Sequence, residues 1–199
     1  MNGKLTVCVL ALCGAACART PARAPVLVSN RAVAVLPPNN RTGDPLLIAG
    51  ASFYEKYVAR SDRITVPDVL AAEARLQLVR RGFTVTSVET VEAATGEHAP
   101  ADAQEAAAIA THNKIDASVL YIDLRRWEAD VPFHPQFVIA SLKIALIDPT
   151  TGRILWSADH PSRPVPTQGV VNLGDAYAIA ARTVMQEMLA NLGAERPPS

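Results

Sequence analysis

Side chains that could act as nucleophiles or metal ligands are few in this 199-residue chain. The three cysteines are Cys8, Cys13 and Cys17, so everything after Cys17 lacks both a thiol nucleophile and a thiolate metal ligand. The histidines show no H-E-x-x-H or H-x-H spacing, and we interpret them as solvated residues of loops and helix ends. They are His98, His112, His134 and His160. The sequence therefore predicts no metal and no cofactor.

Three carboxylates could still carry out acid–base chemistry, because a carboxylate pair requires no sequence motif. Asp123, Glu128 and Asp130 lie around the run Arg125-Arg126-Trp127. We favour a solvated loop with local ion pairs over a catalytic site, since such pairs are common on protein surfaces. No G-x-S-x-G elbow and no G-x-x-x-x-G-K loop occurs in the sequence. We therefore predict that the chain has no catalytic residues and is not an enzyme.

The first 16 residues have the pattern of a signal peptide. Lys4 supplies a positive charge, an apolar run extends from Leu5 to Leu12, and the small residues Gly14, Ala15 and Ala16 precede Cys17. The apolar run is too short to cross a bilayer as a helix, which requires about 20 residues. The sequence therefore predicts export and cleavage before Cys17.

Gly14-Ala15-Ala16-Cys17 resembles the lipobox of bacterial lipoproteins, although the usual leucine is replaced by Gly14. The resemblance implies that the Cys17 thiol carries a diacylglyceryl group and that the new amine is acylated with a chain such as palmitate. An ordinary signal peptide with an incidental cysteine is the alternative. Ala18 is not an acidic retention signal, which favours the outer membrane, with the domain facing the periplasm. Membrane lipid is thus the first expected partner.

Composition points to one globular domain after this segment. The chain is 49% hydrophobic, and its 19 basic residues equal its 19 acidic residues, so no excess of positive charge is present to bind a nucleic acid. We divide the chain into a signal peptide at 1–16, a lipidated N-terminus and linker at 17–30, one globular domain at 31–193 and a loose tail at 194–199.

The order of predicted elements indicates an α/β (α+β) fold. Strands near 32–36, 83–88 and 115–124 alternate with helices that begin at Thr65 and Asp102, which predicts a parallel first half. Strand 137–147 alternates apolar and polar residues and is followed by the turn Asp148–Gly152, so an antiparallel hairpin is expected near 137–158. Asn172 begins a last helix. We predict a single mixed sheet with helices packed on it. The stripe expected to face the core on the first helix is Val69, Ala72, Leu76 and Val79.

Four segments in this order resemble a group of periplasmic lipoproteins of unknown function. They are Val33-Ala34-Val35-Leu36-Pro37-Pro38, Leu76 to Gly82, Ile115-Asp116-Ala117-Ser118-Val119-Leu120 and the run from Asp148 to Ser157. The domain of that group is similar to the curli-secretion lipoprotein CsgG, the amino-terminal domain of TolB, and LpoB. These relatives act by assembly and binding, so the resemblance supplies no catalytic residues.

These observations predict a membrane-anchored, non-catalytic docking or assembly component for other envelope proteins. The alternative is a regulatory module that activates an envelope enzyme or machine, as the resemblance to LpoB implies. Candidate protein contacts are the aromatic residues Phe53, Tyr54 and Trp127. For Phe53 and Tyr54, packing onto the chain's own sheet is an equally good interpretation. Trp156 is expected in the core. Self-association is a further option.

Overall fold

A computed structural model of the chain describes residues 26–28, 30–48, 64–96 and 98–194. The described elements are, in order, β1 (Val26–Val28), β2 (Ala32–Val35), β3 (Asn39–Asn40), α1 (Val66–Arg80), β4 (Thr84–Val85), α2 (Val88–Thr95), α3 (Ala103–His112), β5 (Ser118–Ala129), β6 (Phe137–Ile147), β7 (Ile154–Pro166), α4 (Leu173–Met188) and β8 (Leu192–Ala194).

One mixed sheet organises the domain, as the sequence predicts. Its strand order is β4-β2-β5-β6-β7, and β3 adds a short second pairing along β5. The pairings of β2 with β4 and β5 are parallel, whereas β5, β6 and β7 are joined antiparallel. The hairpin turn between β6 and β7 is built on Asp148, whose backbone carbonyl accepts the Gly152 N–H at 2.8 Å. The predicted α/β fold with a parallel first half and an antiparallel hairpin is confirmed.

Both faces of the sheet are covered by helices, and β5 shows why. Leu120, Ile122 and Leu124 point into the core formed with α1 and α4, while Val119 and Tyr121 point into the core formed with α2 and α3. A strand buried on two faces has to be apolar on both, which is the pattern that the sequence shows.

Side chains at the helix starts fix where the helices begin. Thr65 caps α1: its N–H donates to the Asp68 carboxylate at 2.8 Å, and the Asp68 N–H donates back to the Thr65 hydroxyl at 3.4 Å. Asn172 accepts the Asp175 N–H at 2.8 Å and caps α4 in the same way. Such caps satisfy N–H groups that have no partner within the helix.

Two boundaries differ from the sequence prediction. β1 lies inside the stretch that we assigned to the linker, and it pairs in parallel with β8, so ordered structure begins before residue 31 and reaches Ala194. The second strand ends at Val85, and α2 begins at Val88, which we had placed in that strand. Ser87 accounts for this difference, because its hydroxyl accepts the Thr90 N–H at 3.3 Å and caps a helix there.

The predicted core stripe of α1 is wrong. Leu76 is 43% exposed and Val79 57% exposed, and Ala72 is also exposed. The buried face instead consists of Val66, Leu70, Ala71, Glu73, Ala74, Gln77 and Leu78. Two polar residues are therefore buried, while Ala72, Leu76 and Val79 are directed away from the sheet; Val69 is partly buried and packs against the core. Within the described ranges, no helix is long and apolar enough to cross a membrane.

Candidate protein-contact surface

The carboxylates that the sequence places close together do not act as a pair. Asp123 is buried in β5, and its two oxygens each lie 2.9 Å from a guanidinium Nε, one of Arg41 and the other of Arg125. Glu128 instead pairs with Arg126 at 2.7 Å on the exposed part of the same strand. The local ion pairs agree with our interpretation, but they lie on a strand and not in a loop.

Asp130, the third carboxylate, follows the end of β5 and accepts a hydrogen bond from the backbone. One of its oxygens accepts the N–H of Gln136 at 3.0 Å, which closes the loop between β5 and β6. A carboxylate pair that divides acid and base roles needs both groups directed at one reacting atom. These three carboxylates are directed at different partners, so the structure supplies no such pair from them.

Three histidines are exposed, as expected: His98, His112 and His134. His160 differs, because it lies in β7 with only 2% of its surface exposed, and the interpretation as a solvated residue is wrong for it. Its Nδ1 lies 3.2 Å from the Ala140 carbonyl oxygen, and its Nε2 has no hydrogen-bond partner in the described part of the chain. Burial lowers the pKa of His160, and the Arg163 guanidinium lowers it further.

His160 also lines an open cavity of about 320 Å³ between β7 and the end of α4. Arg163 and Glu187 form an ion pair in the cavity wall. Ligand sites usually combine an apolar lining with a few convergent polar groups, and this wall presents charges that already neutralise each other. No cluster of three or more metal-ligating side chains occurs among the residues described.

The aromatic residues predicted as protein contacts do not form a surface in the described structure. Trp127 is only 2% exposed and packs in the core, so its assignment to the surface is wrong. A β-bulge in β5 explains the error. Strict alternation would put Trp127 on the face opposite Leu124, but the register shifts between Leu124 and Arg126, and both side chains therefore lie in the same core, towards α4. Phe53 and Tyr54 lie outside the described residues, and their role stays a prediction, as does the lipidation of Cys17. Trp156 is buried, as expected.

Two helices define the two ends of the domain. α1 and α4 pack against each other, and the Arg81 Nε after α1 donates to the Leu189 carbonyl after α4 at 2.7 Å. Closer to the N-termini of both helices, the Arg182 Nε lies 3.1 Å from Oε1 of Glu73. Contacts between matching positions along both helices mean that the helices run parallel. Their N-termini therefore lie at one end of the domain and their C-termini at the other.

Exposed apolar side chains gather at the N-terminal end of these helices. Ile64 precedes α1 and Val171 precedes α4, and the Val171 carbonyl accepts the His134 N–H at 3.1 Å, which brings the loop between β5 and β6 to the same end. Phe133 in that loop is 78% exposed, and Val171 is 64% exposed. We call this surface the apolar end; its members are Leu47, Ile64, Val131, Phe133 and Val171.

Acidic groups surround the apolar end. Asp44 and Asp130 lie in its loops, while Asp68 and Asp175 lie in the first turns of α1 and α4. Each is exposed, and the two helical carboxylates also complement the positive end of a helix dipole. A surface with an apolar centre and an acidic border is suited to a partner with apolar and basic groups.

The apolar end was not predicted from the sequence, although the sequence contains one signal for it. The loop sequence Val131-Pro132-Phe133-His134-Pro135 contains two prolines that exclude it from both neighbouring strands. Phe133 therefore cannot belong to a strand face, and an aromatic residue held in a loop is a candidate contact. Its proximity to Val171 could not be predicted, because it depends on how the last helix packs.

Comparison with known proteins supports the fold. No protein-family model matches the chain, and no curated protein matches it either. Among solved structures, the PelC dodecamer from Paraburkholderia phytofirmans is similar with a TM-score of 0.50 at 16% identity, over 88% of this chain and 96% of that chain. At this identity, the likeness shows a common fold alone.

Two further solved structures belong to the same set of neighbours. Lipoprotein GNA1162 from Neisseria meningitidis matches with a TM-score of 0.47 and 19% identity, covering 79% of this chain and 96% of that chain. The C-terminal domain of LpoB from Salmonella enterica matches with a TM-score of 0.42 and 21% identity, covering 70% and 86%. The sequence segments already resembled LpoB, which occurs among these neighbours. The resemblance to CsgG and to the TolB domain stays a prediction.

Proposed function

We propose that the chain is an exported protein, anchored to the outer membrane through lipid on Cys17, that binds another envelope protein without catalysing a reaction. The apolar end carries this proposal. Large apolar side chains gathered on a surface are a usual mark of an interaction site, and Phe133 is the most exposed of them. Self-association is part of the proposal, and PelC, whose fold is similar, is a dodecamer.

The position of the N-terminus supports docking away from the membrane. The Val26 N–H donates to the Asn191 carbonyl at 2.8 Å, beyond the C-terminus of α4, so the chain enters the domain opposite the apolar end. The 16 residues of α4 separate these ends by about 24 Å at 1.5 Å per residue. Nine residue steps from Cys17 to Val26 span at most about 30 Å. The proposed lipid anchor would therefore join the domain at the end opposite the apolar end, away from this surface.

A protein suits the apolar end better than a lipid surface does. Membrane-binding segments combine apolar residues with Lys and Arg, which are attracted to anionic headgroups. The described residues bordering the apolar end include Asp44, Asp68, Asp130 and Asp175. Like charges would repel an anionic membrane, whereas a protein with basic residues around an apolar patch would be attracted.

The test uses a photo-crosslinking amino acid in place of Pro132, beside Phe133, in the full-length chain in its own envelope. A specific crosslinked protein is expected with the parent chain. Phe133→Ser and Val171→Ser should each remove that product, while the matched control Ile154→Ser, an exposed apolar residue beside the β6–β7 hairpin turn, should leave it unchanged.

Two results would overturn the proposal. One is a product that survives both Phe133→Ser and Val171→Ser, or crosslinking to lipid only. The other is a hydrolytic activity that Asp123→Asn or Glu128→Gln abolishes, which would establish an enzyme. If the captured protein is an enzyme whose activity rises on binding, the regulatory form of the proposal is the correct one.

A further inference from the structure

α1 carries apolar residues on two opposite faces. The inner face, which includes Leu70, Ala74 and Leu78, is buried against the sheet and α4. At about 100° per residue, the opposite face carries a second apolar row. We call this row the outer stripe; it consists of Val69, Ala72, Leu76 and Val79. The last three are exposed, whereas Val69, at the edge of the row, is partly buried and also packs against the core. A helix that is apolar on both faces normally has a partner on each.

The spacing of the outer stripe indicates the kind of partner. Its residues are separated by three, four and three positions, which is the a/d spacing of helices that pack side by side. We propose that the outer stripe packs against the outer stripe of a second copy of this chain, with the two helices antiparallel. This contact is separate from the apolar end, because it lies along the flank of α1.

An antiparallel arrangement makes the stripe complementary to itself. With a twofold axis at the level of Ala74, Val69 faces Val79 of the second copy, and Ala72 faces Leu76. Each layer then contains either two valines or one small and one large residue, which fills the space between two helices evenly. A twofold contact of this kind uses the same patch on both copies and closes as a dimer.

Charges beside the stripe select the antiparallel direction. Asp68 and Arg75 lie on one side of it, and Glu73 and Arg80 lie on the other. Glu73 is buried and already paired with Arg182, so the other three charges decide the direction. In a parallel pair, Arg75 would approach Arg80 of the second copy, so like charges would meet. In an antiparallel pair, Asp68 approaches Arg75. Residues in these flanking positions set the orientation of paired helices.

Arg75 is held in place by the fold, because its guanidinium donates to the Val35 carbonyl at 3.4 Å. Asp68 and Arg80 are exposed and complete the pattern at the two ends of the helix. The flanking charges therefore contribute mainly to orientation, and the apolar layers supply most of the contact.

One helix face buries less than the roughly 800 Å² per partner of a standard interface. The dimer is therefore expected to be weak in dilute solution. Here the inference rests on the proposed lipid anchor, because holding the chains on one membrane raises their effective concentration, as linking binding modules does. A test in the native envelope is for this reason more informative than the size of a diluted sample.

The first test determines the register by disulfide formation. Two differently tagged full-length copies, one with Ala72→Cys and the other with Leu76→Cys, are produced in the same cells and mildly oxidised. The proposal expects the mixed dimer to exceed both same-variant dimers several-fold, because positions 72 and 76 share a layer. The parent chain, with its own Cys8, Cys13 and Cys17, gives the background. Dominance of the Leu76→Cys dimer with itself would indicate parallel helices and overturn the proposal.

The second test removes the contact without touching the core. Leu76→Lys should abolish the disulfide formed between copies with Val69→Cys and Val79→Cys. Ile179→Lys is the matched control, because Ile179 is an exposed apolar residue of another helix, α4. It should leave that disulfide unchanged.

Thermal melting of each variant completes the test. The folded domain should melt as the parent does, since Leu76 is exposed. An unchanged disulfide yield in Leu76→Lys would overturn the proposal. Unfolding of Leu76→Lys would overturn it as well, because it would show that the chain's own residues cover the stripe.

Discussion

The indole ring of Trp127 in β5 meets the phenol ring of Tyr177 in α4 edge to face, with ring centroids 6.3 Å apart and ring planes at 72°. Aromatic pairs favour this geometry, because the positive ring edge lies against the negative ring face. Burial raises the pKa of Tyr177, consistent with a phenol held away from water. The contact joins the sheet to the helix whose N-terminus supports Val171 and the apolar end.

Trp127→Ala should destabilise the fold by about 3–5 kcal/mol, because it removes a large buried side chain and leaves a cavity. Urea unfolding of the chain started at Ala18, followed by circular dichroism, measures the loss. Phe133→Ala is the control and should change the free energy of unfolding by less than about 0.5 kcal/mol, as surface changes usually do. Equal effects of the two substitutions would contradict the positions of both residues.

Leu142 tests the face assignment of β6. It is fully buried between the sheet and the helices, so Leu142→Ala should cost about 2–5 kcal/mol in the free energy of unfolding. Ser141→Ala, one residue away on the other face, should have a small effect. A shift of the urea midpoint for Ser141→Ala larger than that for Leu142→Ala would mean that the register of the strand is wrong.

Strong local patterns account for what could be predicted from the sequence. The alternation of apolar and polar residues in strand 137–147 predicts one buried face, and Val138, Leu142 and Ile144 on that face have no exposed surface. Alternation over a long strand leaves only one register compatible with a buried face. Asp102 and Asn172 were likewise identified as helix starts because their side chains accept the N–H groups of the first turn.

Competition between two patterns explains what could not be predicted. α1 has one apolar row with Leu70 and Leu78 and another with Leu76 and Val79, and periodicity alone cannot decide which one faces the sheet. Burial of Glu73 is compensated by Arg182, a residue more than a hundred positions away in the sequence. The apolar end is built in the same way from distant segments, so only the packed fold reveals it.

Lipidation is the prediction that the sequence makes about residues outside the described structure. Cys17→Ser should abolish acylation and leave the precursor uncleaved, because the modified thiol is the substrate for cleavage in the lipoproteins that it resembles. Mass spectrometry of the protein isolated from membranes measures both effects, and Cys13→Ser should change neither. An unmodified Cys17 in the parent protein, or a mature chain that begins elsewhere, would contradict the anchor.

Stability should fall in mild acid because of His160. The folded state holds the imidazole neutral with a pKa below the ordinary value of 6.5, owing to burial first and the Arg163 guanidinium second, while Glu187 acts in the opposite direction. Below about pH 6.5 the unfolded chain binds a proton that the folded chain does not, so stability is lost as the pH decreases towards the folded pKa and is fully present above 6.5.

His160→Asn keeps a group that can donate to the Ala140 carbonyl but does not titrate. The urea midpoint of the parent chain should therefore decrease more steeply between about pH 7.5 and pH 5 than that of the variant. Exposed His112→Asn is the matched control and should follow the parent. Parallel curves for the parent and His160→Asn would show that the imidazole is equally easy to protonate in the folded and unfolded chains, contrary to its burial in β7.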